Sequence, residues 1–341
     1  MLLESLGGDP SVLPAGSASA DSLPGARQVY MVLSPRSLGY AKHAIESLFL
    51  NCVERVNLHL ITDSAADRHE LEDAVTALAP DPRHSWVVVA EEDLNDAEAD
   101  RFAALPNLRA LRHGHPCWRK VTDPLLMAAL GEELVLLDPD VYFPNRFKFE
   151  ETPATGLLLM WQRPNCMLPP EAVRAAMDAG VRLARHVDIG VSNWRTGSDL
   201  EWIDWMIGKL GSPLSRVMHV ESIVWSAIAM REGGGYLDPW LWVCWHRTQA
   251  RRLRLKLGTK GDAILDAEPW ATMKCFHGGG EAKWWVPEYV AGHLSMTGKD
   301  VLRGGRRLPY VELTRQRYEF EQTAKSAVSK LGYHRILGVK Y

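Results

Sequence analysis

Short apolar runs alternate with helical segments in the first part of the chain, and this alternation limits the fold more than any other feature. Three runs rich in β-branched residues are expected to form strands, each closed by turn residues: 28–34, 56–62 and 84–90. Helical spacing separates them over 40–51 and 66–78, and a helix over 119–130 leads into the apolar run 133–137. Strand–helix alternation with short connections predicts a mostly parallel central sheet with helices on both faces.

The pattern is less regular after about residue 150. Strands are predicted over 156–161 and 187–193, and helices over 171–185, 200–210, 220–230 and 311–330. The alternating basic and apolar segment 251–256 predicts an edge strand, with contact to an anionic acceptor as the other interpretation. We therefore expect one α/β domain whose second half elaborates the side that binds ligand.

Composition and charge exclude several classes of protein. The 341 residues include 39 Lys and Arg against 42 Asp and Glu, a formal charge of −3, whereas a dedicated nucleic-acid binder would be strongly basic. The five cysteines form no CxxC pair and no zinc-type spacing, which favours a reducing, cytoplasmic compartment. No apolar run approaches the roughly 20 residues that span a bilayer, so we expect a soluble protein.

The two ends of the chain differ from the rest. Residues 1–26 are rich in Gly, Ser, Ala and Pro and lack a charged start, so they predict a disordered tail and not a signal peptide. From 299 to 341, ten Lys and Arg stand against four acids, which predicts a basic helical extension over 296–341. A solvated helical face explains such an excess, and the alternative is a weak contact with a membrane surface or an acidic acceptor.

Two carboxylates follow the most apolar predicted strand, in the sequence Asp138-Pro139-Asp140. Ligands of open α/β sheets bind beyond the carboxyl ends of the strands, so both side chains are expected in that crevice. Paired aspartates offer oxygen ligands to Mg²⁺ or Mn²⁺, which in turn bind phosphate oxygens. A simple β-turn is the alternative, because Asp-Pro-Asp is also ordinary turn chemistry.

A second segment far downstream, HGGGEAKW at 277–284, combines an imidazole, three glycines and a lysine. Glycines let backbone N–H groups approach an anion closely. A neutral imidazole complements carboxylates around Mn²⁺, and a lysine supplies a mobile charge for a phosphate. The alternative is a flexible glycine turn with a surface lysine.

Together these segments resemble the signatures of the family 8 retaining glycosyltransferases. Asp-Pro-Asp is similar to the family's DxD motif. The family's HxxGxxKPW motif is matched, without its proline, at His277, Gly280, Lys283 and Trp284. The resemblance covers about residues 28 to 290 and implies the GT-A fold, a single Rossmann-like domain that binds a nucleotide sugar.

The same resemblance implies roles for individual positions. The metal ligands are Asp138, Asp140 and His277, with Mn²⁺ or Mg²⁺ as the cofactor. Contacts with the donor are implied for Ser34, Tyr40, Arg119, Lys120, Asp138, Gly278, Gly280 and Lys283. Asp188 and Glu221 are the candidates at the reactive face of the sugar. Lys283 is implied in catalysis as well, because its charge would stabilise the leaving diphosphate.

Tryptophan is concentrated in one part of the chain, since ten of the 13 lie between Trp194 and Trp285. By the family's order this stretch forms the sugar and acceptor side, and indole rings stack on the apolar faces of sugars. We expect the acceptor-side cleft to be lined by Trp240, Trp242, Trp245, Trp284 and Trp285. Three more lie in predicted helices and are expected in the core: Trp202, Trp205 and Trp225.

The sequence therefore predicts a metal-dependent enzyme that moves a hexosyl group from a nucleotide-diphosphate sugar, expected to be UDP-linked, with retention of configuration. The nucleotide-binding half is 27–145, and the sugar and acceptor half is 146–295. The acceptor is expected to be a saccharide, a lipid-linked molecule or a small molecule, and no nucleic acid partner is expected. A cytoplasmic protein is predicted, with contact to the inner face of the membrane through its C-terminus as an option.

Two other functions stay open at this point. One is a relative that binds nucleotide sugars without turnover. The other is a haloacid-dehalogenase-like phosphatase that uses Asp138 as its nucleophile, because LVLLDPDVY is also similar to that motif.

Overall fold

A computed structural model of the chain describes residues 25–246, 248–293 and 299–330. Within them the strands are β1 Arg27–Val32, β2 Val56–Thr62, β3 Ser85–Ala90, β4 Glu133–Leu137, β5 Val141–Tyr142, β6 Arg146–Phe147, β7 Leu157–Trp161, β8 Val187–Arg195, β9 Gly234–Tyr236, β10 Trp242–Cys244, β11 Cys275–His277 and β12 Asp300–Val301. The α-helices are α1 Leu38–Asn51, α2 Ala65–Ala77, α3 Asn95–Arg101, α4 Pro106–Arg112, α5 Arg119–Met127, α6 Pro170–Asp178, α7 Leu200–Lys209, α8 Val220–Glu232, α9 Gln249–Lys256, α10 Gly261–Leu265, α11 Ala282–His293 and α12 Arg315–Lys330. Nearly all of the predicted tail (residues 1–24) and the end of the predicted extension (331–341) lie outside the described residues.

Seven strands form the central sheet in the order β3-β2-β1-β4-β8-β7-β9. The neighbours β1–β2, β2–β3, β1–β4 and β7–β9 are parallel, whereas β8 runs antiparallel to β4 and β7. The predicted mostly parallel sheet is therefore confirmed. The order 3-2-1-4 is that of doubly wound nucleotide-binding sheets, whose ligand crevice lies where the strand order reverses, here between β1 and β4.

Helices cover both faces of this sheet, as predicted. One face packs against α1 and α2 through residues such as Leu48 and Val75. The other packs against α4 to α8 through residues such as Leu108 and Ile223. Both faces are thus shielded from water, which explains why the strands are apolar runs instead of alternating patterns.

A second, three-stranded sheet has the order β10-β11-β5. β11 is parallel to β10 and antiparallel to β5, with His277 opposite Val141. Because β5 follows Asp138-Pro139-Asp140 directly, this pairing brings the HGGGEAKW segment next to the two aspartates. A further two-stranded sheet pairs β12 with β6.

Two predicted elements are wrong in length or type. The helix predicted over 171–185 ends at Asp178, because Gly180 adopts a positive φ of 76° and Val181 N–H closes the helix on the Ala176 carbonyl at 2.9 Å. The edge strand predicted over 251–256 is helix α9. Thr248 caps this helix by accepting from Arg251 N–H. The side chains that pack inward, Arg251 and Leu255, are four residues apart, as on one face of a helix, whereas inward side chains of a strand are two apart.

The described helices include none that is both long enough and apolar enough to cross a membrane. All five cysteines are free.

Candidate active site

Three strands distant in the sequence bring their ends together at one edge of the central sheet. Asp138 follows β4 directly, and Asp188 is the second residue of β8. Because β8 is antiparallel to β4, it begins at the edge where β4 ends, and Asp138 N–H donates to the Gly190 carbonyl at 2.9 Å. His277 is the last residue of β11. The edge where the ligand crevice was expected therefore holds Asp138, Asp188 and His277.

The imidazole of His277 links three carboxylates. Its Nδ1 lies 2.8 Å from Asp188 Oδ1. Its Nε2 lies 3.2 Å from Asp140 Oδ1 and 3.5 Å from Asp138 Oδ2. The ring is buried, with 7% of the residue exposed. Asp188 thus holds one ring nitrogen and directs the other toward the aspartate pair.

Two glycines make this packing possible. A Cβ on Gly190 would lie 2.4 Å from His277 Nδ1, which is closer than any real contact of that kind. Gly190 N–H also donates to Asp188 Oδ1 at 2.9 Å. Gly278 N–H donates to the Asp140 carbonyl at 2.9 Å. The Gly278 amide, which we predicted to face the donor, therefore joins the two loops of the site instead.

The charges in this cluster support one another. Burial by itself lowers the pKa of His277, but Asp188 and Asp140 raise it well above 6.5. Burial raises the pKa of Asp138, and Lys120 and His277 oppose that rise only in part. The pKa values of Asp140 and Asp188 are lowered, because His277 outweighs the effect of burial. The space between the three carboxylates therefore favours a positive charge.

Asp138, Asp140 and His277 fit a divalent metal ion. One ligand atom from each lies within 4.8 Å of the others. Two carboxylate oxygens and an imidazole nitrogen suit Mn²⁺, and the bond from Nδ1 to Asp188 is the usual support of a ligating histidine. Asp188, Cys244 and His277 lie equally close together, but all three are buried, whereas Asp138 and Asp140 are half-buried at the crevice. The first set therefore has the better access.

Lys120 is buried between two carboxylates beside this cluster. Its Nζ pairs with Asp138 and lies 3.2 Å from Glu221 Oε1. Burial opposes the lysine's charge, yet Asp138 and Glu221 raise its pKa. Burial, opposed by Lys120, raises the pKa of Glu221 to about 8. In the described part of the chain Glu221 Oε2 is buried and has no hydrogen-bond partner.

Lys283, Tyr40 and Trp284 form a more exposed group. Lys283 Nζ lies 3.9 Å from Asp140 Oδ2 and 5.0 Å from the centre of the Tyr40 ring. Tyr40 packs edge-on against Trp284, with ring centres 5.0 Å apart, and Trp284 is 54% exposed.

Two further predicted donor residues are Ser34 and Gly280. Ser34 is half-buried just after β1, and Gly280 is exposed with a φ of 70°. Ser34 and the Asp-Pro-Asp segment thus follow the two strands that flank the crevice.

Arg119 does not join this group. Its guanidinium pairs with Asp63 at 2.8 Å and Glu91 at 2.7 Å, and it donates to the Thr62 carbonyl at 3.1 Å. These acceptors lie at the ends of β2 and β3, so the arginine ties two outer strands together. Both terminal nitrogens of Arg119 are thus engaged within the protein, whereas its Nε is buried and has no partner among the described residues. The donor contact of Arg119 stays a prediction.

The predicted cleft wall of tryptophans is wrong for two residues. Trp242 is fully buried, and its Nε1 donates to Glu150 Oε1 at 3.1 Å. Trp240 is 77% exposed but lies just before β10, whereas the site is at the other end of that strand. Both were expected on the acceptor side because the family's order places this stretch there, and the order of segments does not fix the direction of a side chain.

The remaining tryptophans divide between core and surface. Trp245 is buried and packs edge-on against Trp285, with ring centres 5.7 Å apart, so it offers little surface to an acceptor. Trp225 is fully buried in the core as predicted, and Trp202 packs partly against the core. Trp205 is 42% exposed, so its predicted place in the core is wrong. Trp284 is the tryptophan of this set that contacts a predicted donor residue.

Sequence reasoning missed Cys244. Its Sγ lies 3.6 Å from Asp188 Oδ2 and 3.8 Å from His277 Nδ1. A single cysteine in a short apolar strand has no spacing pattern, so the sequence contained no signal for this contact.

Comparisons with known proteins give structural likenesses only. No protein-family model matches the sequence. No curated protein matches it either. Mouse xyloside xylosyltransferase 1 is 13% identical with a TM-score of 0.44, over 75% of this chain and 98% of that one. The galactosyltransferase LgtC, solved with donor and acceptor sugar analogues, is 12% identical with a TM-score of 0.44. That match covers 78% of this chain and 92% of LgtC.

A third solved structure, the glycosyltransferase GlyE of Streptococcus pneumoniae TIGR4, is 11% identical with a TM-score of 0.40. The match covers 92% of this chain and 64% of the GlyE chain. All three proteins are glycosyltransferases by name. With TM-scores below 0.5, the assignment of this chain has to rest on its own strand order and site.

Proposed function

We propose that this chain is a metal-dependent glycosyltransferase of the GT-A type. It would transfer a hexosyl group from a UDP-linked donor to an acceptor, with retention of configuration. The observation that carries the proposal is the meeting of Asp138, Asp140 and His277 Nε2 beside the reversal point of a 3-2-1-4 sheet. Nucleotides bind at this point in such sheets, and the ligand set suits a metal that binds phosphate.

Asp138, Asp140 and His277 would hold Mn²⁺ or Mg²⁺. When bound, such an ion offsets the negative charge that grows on the diphosphate as the sugar leaves. Lys283 would add a second positive charge, since its side chain is 28% exposed and its Nζ lies 3.9 Å from Asp140 Oδ2. The Lys283 amine lies over the ring of Tyr40, which in turn packs edge-on against Trp284.

Glu221 is a better candidate than Asp188 at the reactive face of the sugar. Asp188 Oδ1 already accepts from Gly190 and contacts His277, and Oδ2 accepts from Cys244. Glu221 Oε2 is buried without a partner among the described residues. A carboxyl group in that position can hydrogen-bond the sugar or, once ionised, stabilise the positive charge that develops on its ring. We therefore propose that Asp188 orients His277.

The first test is UDP binding by calorimetry, with Mn²⁺ and with EDTA. We expect binding at least about tenfold tighter with Mn²⁺, because a metal would join the phosphates to the protein. Asp140→Asn should remove this difference, whereas Asp73→Asn on the exposed face of α2 should keep it. Equal binding of UDP in EDTA and in Mn²⁺ would exclude the metal assignment.

Turnover separates the remaining functions. Incubation with a panel of UDP-sugars should release UDP, and loss of Asp140 should stop the release. A relative without turnover would bind UDP with Mn²⁺ and release nothing from any sugar. A phosphatase would instead hydrolyse a generic phosphoester and lose that activity in Asp138→Asn, which would replace the present proposal.

A further inference from the structure

A basic helix is exposed close to the site. Residues 248–261, which contain α9 and the turn after it, include five Lys or Arg and no acidic residue, in a chain of net charge −3. We use the name α9 surface for the outward side chains of this segment: Ala250, Leu253, Arg254, Lys256, Leu257 and Lys260.

Contacts on the inner side fix which way α9 faces. The Arg251 guanidinium lies 4.5 Å from the centre of the Trp245 ring and pairs with Glu268. Leu255, four residues later, packs against the small core around Trp245. Because residues four apart share a helix face, the opposite side is turned outward. Leu253 is 50% exposed and Leu257 is 77% exposed on that side.

The outward cations are not neutralised by the protein. Arg254, Lys256 and Lys260 are exposed, and among residues 25–246, 248–293 and 299–330 no carboxylate pairs with any of them. The arginines of α12 differ. Arg315 pairs with Asp178, and Arg317 with Glu321. Three exposed cations without a carboxylate partner among the described residues are therefore grouped on the α9 surface beside two exposed leucines, whereas Arg315 and Arg317 of α12 are paired.

We propose that the α9 surface binds the anionic face of a lipid bilayer. Two leucines would enter the interfacial region while the cations meet the phosphate headgroups. A soluble polyanion would need the cations but not the exposed leucines. A second copy of the chain is disfavoured as the occupant, because two α9 surfaces would repel each other.

The inner side of α9 connects this helix to the wall of the candidate active site. Trp245, which Arg251 covers, follows Cys244, and the Cys244 Sγ contacts Asp188 and His277. A bilayer bound to α9 would thus hold a lipid-linked acceptor near the crevice. This last step rests on the proposed function, whereas binding to the bilayer does not.

The test is co-sedimentation of the full chain with vesicles of phosphatidylcholine, with and without phosphatidylglycerol. We expect binding only with the anionic lipid, weakening as salt is raised. Arg254→Glu with Lys256→Glu should weaken binding at least about tenfold, and so should Leu253→Ser with Leu257→Ser. All four side chains are exposed, so both variants should melt at the wild-type temperature.

A matched pair on α12, Lys325→Glu with Lys330→Glu, should leave vesicle binding within about twofold of wild type. Loss of binding in this pair alone would transfer the membrane contact to α12 and overturn the proposal. Wild-type binding by the leucine variant would also overturn it, because the surface would then be a charge patch for a soluble polyanion. Neither outcome involves UDP or sugar transfer, so failure here is distinct from failure of the proposed function.

Discussion

Asp188 Oδ1 and His277 Nδ1 lie 2.8 Å apart in the buried wall of the site. This contact leaves His277 Nε2 as the ring nitrogen that faces Asp140 and Asp138. Asp188 therefore positions the imidazole ring, and any effect of Asp188 on metal binding would act through His277.

Removal of this support should weaken metal binding. In Asp188→Ala the histidine ring loses its partner, and we expect Mn²⁺ affinity to fall by about 10- to 100-fold, measured by calorimetry without any sugar substrate. Asp188→Asn should lose less, because its amide oxygen can still accept from Nδ1–H. Wild-type Mn²⁺ affinity in Asp188→Ala would mean that His277 either does not ligate or needs no support.

Gly190 should tolerate no side chain. The added Cβ of Gly190→Ala would lie 2.4 Å from His277 Nδ1 and 2.6 Å from its Cγ, so the ring would have to move and Mn²⁺ affinity should fall. Gly279→Ala is the matched control. Its Cβ would lie 3.8 Å from His277 Nε2, an ordinary contact, and its metal affinity should stay at the wild-type value. Equal affinities in the two variants would contradict the geometry of the site.

Trp284 should support nucleotide binding through Tyr40. Trp284→Ala removes the edge-on ring contact, and we expect UDP to bind about two- to tenfold more weakly in the presence of Mn²⁺. Trp240→Ala removes an even more exposed indole at the far end of β10 and should bind UDP normally. If Trp240→Ala had the larger effect, the cleft would have to be placed elsewhere.

His59 should make the fold sensitive to acid. Its ring stacks on Tyr30 and contacts Gln28 Oε1 at 3.0 Å, and burial lowers its pKa to about 4. Since the unfolded chain takes up this proton near pH 6.5 and the folded chain only near pH 4, stability is present above pH 6.5 and falls as the pH drops. Between about pH 7 and pH 5 we expect His59 to contribute a loss of about 2 kcal/mol to the free energy of unfolding, measured by denaturant unfolding.

The matching variant is His59→Gln, which cannot take up the proton, so its loss of stability between about pH 7 and pH 5 should be about 2 kcal/mol smaller than in wild type. His186, whose pKa burial also lowers to about 4, keeps its own contribution in both proteins. His69→Gln should keep the pH dependence of wild type, because the His69 side chain on α2 is 84% exposed. The same slope in His59→Gln and wild type would show that other groups cause the acid sensitivity.

Much of the sheet could be predicted because its strands are buried on both faces. Strand β2 covers the predicted residues 56–62 without change, since an apolar run between charged and turn residues has clear limits. The meeting of Asp138, Asp140 and His277 was also foreseeable. Asp138 and Asp140 follow the strand beside which the crevice was expected, and a known motif pairs such aspartates with a histidine far downstream.

Side-chain direction was less predictable. The contact of Asp188 with His277 needs β8 to be antiparallel, and nothing in the segment 187–193 indicates its direction. Trp242 is buried because Phe149 and Glu150 pack against it from a distant part of the chain. Six residues of alternating pattern in 251–256 fit a strand or a helix, and tertiary contacts of Arg251 and Leu255 decide for the helix.

The antiparallel strand β8 sets a limit on how this protein can vary in length. It is paired on both sides, and Asp188 and Gly190 both meet His277. One residue gained or lost between Gly190 and Arg195 would turn the following side chains to the opposite face or pull Asp188 off the histidine. Relatives that keep this site should therefore differ in length at exposed loops, such as the one after α7, and keep Val187–Arg195 at nine residues.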